Sequence, residues 1–137
     1  MSLYEIDIRF SVPGTPVSLK AKGFGKLDWM ERVKNAALSA LPQNWQPTDQ
    51  ELSLTIYDFP SEQPQGDVDN IIKRIQDAMN NVIYVDDKQV RRVVAHRFLP
   101  DEYSDVVTLP PLIMEAIANE PPFVYLTIRS NPFGDAQ

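Results

Sequence analysis

Cysteine is absent from this chain of 137 residues, and histidine occurs only once, as His96. The lack of cysteine excludes disulfide bonds, thiolate metal sites and a cysteine nucleophile, and it is compatible with a reducing compartment. No apolar run reaches the roughly 18 residues that a membrane-spanning helix needs. The first residues carry acids where a secretory signal has basic and then apolar residues. We therefore expect a cytoplasmic protein with no membrane partner.

Positive charge is also scarce. The chain holds 13 Lys and Arg against 19 Asp and Glu, which gives a formal charge of −6. The deficit is uneven, because residues 98–137 contain one basic side chain against six acidic ones, whereas residues 1–97 are nearly neutral. Proteins that bind nucleic acid normally present a basic surface. On charge alone we therefore expect a protein that avoids nucleic acid, although the uneven distribution of the charge does not exclude a nucleic-acid substrate.

Apolar residues make up 43% of the chain, enough for a hydrophobic core. Alternating or short apolar runs predict strands at residues 4–12, 52–56, 82–85, 90–99 and 123–128. Helical spacing predicts helices at residues 28–40 with Asp28 as the N-cap, at 69–80, and at 110–119 after a Pro-Pro pair. We therefore expect a single α+β domain over residues 1–137. It would have a mixed sheet of about five strands, two or three helices and the order β-α-β-α-β-β-α-β.

Acidic residues are concentrated at two places in the second half of the chain. Asp67 and Asp69 lie at the start of the second predicted helix, and Asp86 and Asp87 follow the short strand after it. A chain reversal at the end of this helix would bring the second pair back beside the first. Clustered carboxylates repel one another unless a cation is bound. Oxygen ligands suit Mg²⁺, which keeps waters that a substrate phosphate can displace.

Lys73 and Asp77 follow Asp69 at intervals of one helical turn, on the same stripe of the helix. An ammonium at that position can hold a phosphate oxygen or stabilise charge on a leaving group. Each feature also has a simpler interpretation, because Asp caps helices, Asp pairs occur in solvated turns, and lysine pairs with acids at helical spacing. From the residues alone, the metal site and these structural roles remain equally open.

Three segments carry a more specific pattern: Asp67-Val68-Asp69-Asn70-Ile71-Ile72-Lys73, Asp77-Ala78-Met79, and Val85-Asp86-Asp87-Lys88-Gln89-Val90. In residue type and spacing they resemble the RusA family of Holliday junction resolvases. The resemblance covers residues 67–90 closely, while the flanking segments agree only in outline. The chain departs from the family in its acidic balance, in the lysines of its N-terminal loop and in the extra helix predicted at 110–119.

The resemblance implies metal-binding catalytic acids at Asp67, Asp69 and Asp87. It implies that Lys73 is the catalytic lysine, with Asp77 and Asp86 in secondary roles that shape or charge the site. The expected cofactor is Mg²⁺, with Mn²⁺ as an alternative. The expected activity is hydrolysis of phosphodiesters in four-way DNA junctions, in recombination and repair, by a homodimer acting on branched DNA.

Candidate DNA contacts lie outside the acidic residues, at Lys20, Lys22, Lys26, Arg91 and Arg92. The lysines belong to a glycine-containing loop that can follow a phosphate backbone or simply be solvated. Two other functions remain open on the sequence. One is a DNA- or protein-binding relative that no longer turns over substrate. The other, weaker one is a metal-dependent transferase that uses the Asp-x-Asp segment for a nucleotide sugar.

Overall fold

Four strands and two helices make up the regular structure of the residues that the structure describes. The computed structural model describes residues 5–16, 24–61, 69–100 and 121–130, without the side chains of residues 24–26, 69 and 70. The strands are β1 (Asp7–Pro13), β2 (Leu52–Phe59), β3 (Val90–Arg97) and β4 (Phe123–Ser130). The helices are α1 (Phe24–Ala40) and α2 (Asp69–Ala78), and a 3₁₀ turn, Asp87–Gln89, directly precedes β3.

The strands form one mixed sheet in the order β1-β4-β2-β3. β4 lies antiparallel to both β1 and β2, whereas β2 and β3 are parallel. Parallel neighbours need a crossover connection, and α2 lies within the segment that joins β2 to β3. The α+β class and the mixed sheet predicted from the sequence are confirmed.

One hydrophobic core holds the helices against the sheet. Leu54 and Ile56 of β2 are fully buried, as are Val33 of α1 and Ile75 of α2. Burying a side chain of this size contributes about 1.5–3 kcal/mol each. Because Ile71, Ile75 and Ala78 share the face of α2 that enters the core, the opposite stripe of this helix is left for polar residues.

Residues 82–85 do not form the predicted strand: residues 81–83 are a turn and Tyr84 makes only isolated β-bridges, so the described part of the sheet has four strands rather than five. The amides of Val82 and Ile83 both donate to the carbonyl of Met79, at 3.1 Å each. Asn81 adopts a left-handed conformation with φ 62°, which asparagine tolerates at a helix end. A short apolar run is buried equally well as a turn or as a strand, and for this reason periodicity did not separate them.

Helix α1 begins at Phe24, four residues before the predicted N-cap. Asp28 therefore lies inside the helix, where its carboxylate pairs with Arg32 one turn later, at 3.1 Å. Lys26, expected in a loop, belongs to the first turns of α1, although its side chain is not described. The helix predicted at residues 110–119 lies outside the described residues.

Candidate active site

Lys73 connects helix α2 with the second acidic segment, Asp86 and Asp87, in space. Its ammonium lies 3.0 Å from Oδ1 of Asp77, one turn later in α2, and 3.0 Å from Oδ2 of Asp87, 14 residues further along the chain. The Asp87 carboxylate is the least exposed of the three side chains, at 19%, against 36% for Asp77 and 55% for Lys73. The polar stripe of α2 therefore meets the second acidic segment at one partly exposed cluster.

The charges of the cluster stabilise one another. The hydrogen bond from Lys73, together with its positive charge, lowers the pKa of Asp87 below its ordinary value. Hydrogen bonds to Asp87 and Asp77 raise the pKa of Lys73. Lys73 is therefore a cation and Asp87 an anion throughout the neutral range. An ammonium has three donors, so two acidic contacts leave one N–H of Lys73 for a further acceptor.

Asp86 has a structural role next to the cluster. It is the N-cap of the 3₁₀ turn, and its Oδ1 accepts a hydrogen bond from the amide of Lys88 at 3.2 Å. The side chain of Gln89 returns to the amide of Asp86 at 3.0 Å, which completes a capping box. The local sequence thus folds the acidic pair into a turn that points Asp87 toward Lys73.

The acidic turn, residues 85–89, is hydrogen-bonded to the segment before β2. The Gln89 side-chain amide donates to the carbonyls of Thr48 and Gln50, at 2.6 and 2.9 Å. The amide of Thr48 donates to the carbonyl of Ile83 at 3.0 Å, and that of Val85 to the carbonyl of Thr48 at 3.2 Å. Residues far apart in sequence are thereby joined around the turn.

Tyr84 ties the turn that precedes Asp87 to helix α2. Its ring is completely buried, and its hydroxyl donates to the carbonyl of Gln76 in the last turn of α2, at 2.7 Å. Burial raises the pKa of Tyr84, and the nearby charges of Asp87 and Asp77 add to that effect. Tyr84 therefore acts as a neutral hydrogen-bond donor that ties the turn to the helix bearing Lys73.

The structure brings together part of the predicted site. Lys73, Asp77 and Asp87 lie in contact, and Asp86 caps the 3₁₀ turn that carries Asp87.

The remaining predicted site residues are described only in part. Asp69 is the first residue of α2, but its side chain, like all of Asp67, Lys20 and Lys22, lies outside the described structure. Among the side chains that the structure describes, no three Asp, Glu or His could hold a metal ion together. The predicted metal triad thus remains a prediction.

The two arginines predicted to contact DNA, Arg91 and Arg92, differ in whether they are paired with an acid. Arg91 forms an ion pair with Glu51 at 2.8 Å and hydrogen-bonds to it, with both side chains more than half exposed. Arg92 is half-buried and makes no ion pair with any described residue. Its guanidinium is therefore freer than that of Arg91 to receive a phosphate.

Sequence reasoning assigned no role to Gln89, Thr48 or Tyr84. Gln89 stands three residues after Asp86, the spacing of a capping box, so this pattern could have indicated its contact with the acidic turn. Thr48 is remote in sequence and contributes mainly through its backbone. No sequence signal identifies it.

The fold and site define a small α+β protein whose acidic cluster is bridged by a lysine. A sequence model described as endodeoxyribonuclease RusA matches residues 25–109, well over half of the chain. The matched range contains the whole segment 67–90. The chain therefore belongs to the RusA family of endodeoxyribonucleases, which confirms the resemblance found in its motifs. No curated protein matches it. No helix among the described residues is long and apolar enough to cross a membrane.

Proposed function

We propose that this protein is a Mg²⁺-dependent endonuclease that cuts four-way DNA junctions as a homodimer, with Mn²⁺ as a substitute. The observation that carries the proposal is the contact between Lys73 and Asp87, since it joins the two halves of the family motif at one cluster. Family membership supports the endodeoxyribonuclease activity. The junction preference, the metal and the residue roles are our inference.

Asp67, Asp69 and Asp87 would hold the metal. The chemistry of this set fits, because carboxylate oxygens are the ligands that Mg²⁺ prefers. Asp87 engages one oxygen with Lys73, and its carboxylate has a second. When bound, the cation would supply charge stabilisation at the phosphate and a water of lowered pKa.

Lys73 would stabilise the negative charge that develops on the phosphate. Lys73, held by Asp77 and Asp87, would direct its remaining N–H toward a phosphate oxygen and offset the charge that develops there. In the hydrolysis, a water oxygen bonds to phosphorus while the bond from phosphorus to the 3′ oxygen breaks. The 3′ oxygen leaves with a proton as a hydroxyl, and the phosphate stays on the 5′ end.

The test is cleavage of a synthetic four-way junction by the full chain, with Mg²⁺, with Mn²⁺ and with chelator. We expect metal-dependent cuts that the Asp87→Asn variant reduces by about 100-fold or more, since removing one preorganised charge has effects of this size. Glu31→Gln, which neutralises an exposed acid on α1, is the matched control.

A wild type that leaves junctions, flaps and linear duplex intact with both metals would overturn the proposed activity. Tight junction binding under those conditions would favour the alternative of a DNA-binding relative without turnover. Cleavage of linear duplex as fast as of junctions would overturn the junction preference alone.

A further inference from the structure

The side chain of Gln89 is fully engaged in hydrogen bonds. Its Oε1 accepts from the amides of Val85 and Asp86, at 3.0 Å each, and its Nε2 donates to the carbonyls of Thr48 and Gln50, at 2.6 and 2.9 Å. A carboxamide offers two donors and two acceptor lone pairs, so all four are used. We infer that Gln89 is the positioning residue that sets Asp87 against Lys73. This inference rests on the proposed catalytic role of Asp87.

The four partners specify a carboxamide and its orientation. The oxygen of Gln89 meets only N–H donors, and its nitrogen meets only carbonyl acceptors. Glutamate would keep the acceptor side but present no donor to the carbonyls of Thr48 and Gln50. Leucine or methionine would lose both the acceptor for the amides of Val85 and Asp86 and the donors to the two carbonyls. The two halves of the contact are therefore separable by substitution.

The connected segments explain why the placement of Asp87 depends on this side chain. Thr48 and Gln50 lie just before β2, at the edge of the packed core, whereas Val85 and Asp86 form the turn that leads into Asp87. Gln89 thus fixes the acidic turn to the core side of the molecule, and α2, packed on the same core, carries Lys73. A hydrogen bond of 3.0 Å does not survive a displacement of about 1 Å.

Gln89 is only half-buried and lies outside the hydrophobic cluster, so it contributes contacts rather than core packing. Its loss should move the acidic turn without unfolding the protein. A positioning role predicts that the chemical step slows while DNA affinity and the folded fraction change little. A general structural role predicts that all three decline together.

The experiment compares Gln89→Leu, Gln89→Glu and the wild type in the full chain. Gln46→Glu, an exposed glutamine before β2, controls for the added charge. Single-turnover cleavage at saturating enzyme reports the chemical step, and junction affinity is measured with chelator present. NMR of the metal-free proteins reports amide exchange at Val85 and Asp86 and the protection of the Lys73 ammonium.

For Gln89→Leu we expect cleavage to slow about 30–100-fold, in line with the cost of small misplacements of catalytic groups, while junction affinity stays within about threefold. Amide exchange at Val85 and Asp86 should accelerate, and the Lys73 ammonium should lose protection. Gln89→Glu should protect both amides but still slow cleavage, because the donors to Thr48 and Gln50 are gone. Gln46→Glu should match the wild type.

Two results would overturn the inference. One is a Gln89→Leu protein that keeps a protected Lys73 ammonium and cleaves within about threefold of the wild-type rate. The other is a parallel loss of folded protein, affinity and rate in both Gln89 variants. If the wild type itself does not cleave DNA, the proposed function fails separately, and the NMR comparison still decides whether Gln89 positions Asp87.

Discussion

The ammonium of Lys73 lies 3.0 Å from a carboxylate oxygen of Asp87, although 14 residues separate them in the chain. Asp77 holds the same ammonium from one turn later in α2, at the same distance. Helical spacing accounts for the second contact, whereas only the turn after α2 accounts for the first. The relationship makes Lys73 the centre of the candidate site and can be tested in several independent ways.

Replacing Lys73 with methionine should abolish most junction cleavage. Methionine keeps an unbranched side chain but removes the charge, so we expect the single-turnover rate to fall about 100–1,000-fold with junction affinity little changed. Lys73→Arg should recover little of the rate, because a planar guanidinium does not reproduce the geometry of a compact ammonium between two carboxylates.

The matched control for this variant is Lys34→Met, which removes an exposed lysine from α1. A loss of cleavage in Lys34→Met equal to that in Lys73→Met would show that bulk positive charge, and not the position of Lys73, is responsible. Single-turnover assays on the same junction measure both.

The contact should also appear in the pH dependence of stability. Lys73 lowers the pKa of Asp87, so the contribution of the pair is present above the ordinary carboxyl value of 3.8 and is lost as pH falls through the lowered pKa. The pKa of Lys73 is raised above its ordinary 10.5, so the same contribution is complete below 10.5 and is lost as pH rises through that raised value. The pair therefore has a plateau across neutral pH.

We expect the difference in unfolding free energy between wild type and Lys73→Met to be flat from about pH 5 to pH 9 and to shrink in acid. Urea denaturation of the metal-free proteins at a series of pH values measures it. Carbon NMR of the Asp87 carboxyl should show its pKa rising in Lys73→Met, since the hydrogen bond and the charge of Lys73, which lower it, are removed. An unchanged Asp87 titration would contradict the contact itself.

Tyr84→Phe should destabilise the protein while leaving its fold intact. The change removes the hydroxyl that donates to the carbonyl of Gln76 and leaves that carbonyl without this partner, which costs about 1–2 kcal/mol of unfolding free energy. Tyr57→Phe is the control, because the Tyr57 hydroxyl makes no hydrogen bond to a described residue and its ring is half-buried. Chemical denaturation measures both, and equal losses would argue against the role of the Tyr84 hydroxyl.

Arg92→Ala should weaken junction binding more than Arg91→Ala. Arg91 is already paired with Glu51, whereas Arg92 forms no ion pair within the described part of the chain. If Arg92 contacts a phosphate, its loss should reduce the slope of log affinity against log salt by about one unit. Binding titrations at several salt concentrations check this. A larger change in slope for Arg91→Ala would reverse the assignment.

Much of the fold follows from local pattern. The apolar alternation of β2 and the spacing of Ile71, Ile75 and Ala78 in α2 express burial on one face, which sequence periodicity encodes directly. Residues 82–85 and the start of α1 were mispredicted for a different reason. In both places the local structure depends on contacts that sequence periodicity does not show. The carbonyl of Met79 accepts hydrogen bonds from two amides, and Asp28 forms an ion pair with Arg32 inside a longer helix.

The sequence by itself determined the α+β class, the family motif and the placement of Lys73 and Asp77 on one stripe of α2, because these depend on residue type and helical period. Only the tertiary structure decided which acid meets Lys73 and what holds it there. The packing of α2 against the core and the turn after it bring Lys73 to Asp87, and the four hydrogen bonds of Gln89 join that turn to the segment before β2. Such contacts join residues up to 41 positions apart, and no local pattern in the chain encodes them.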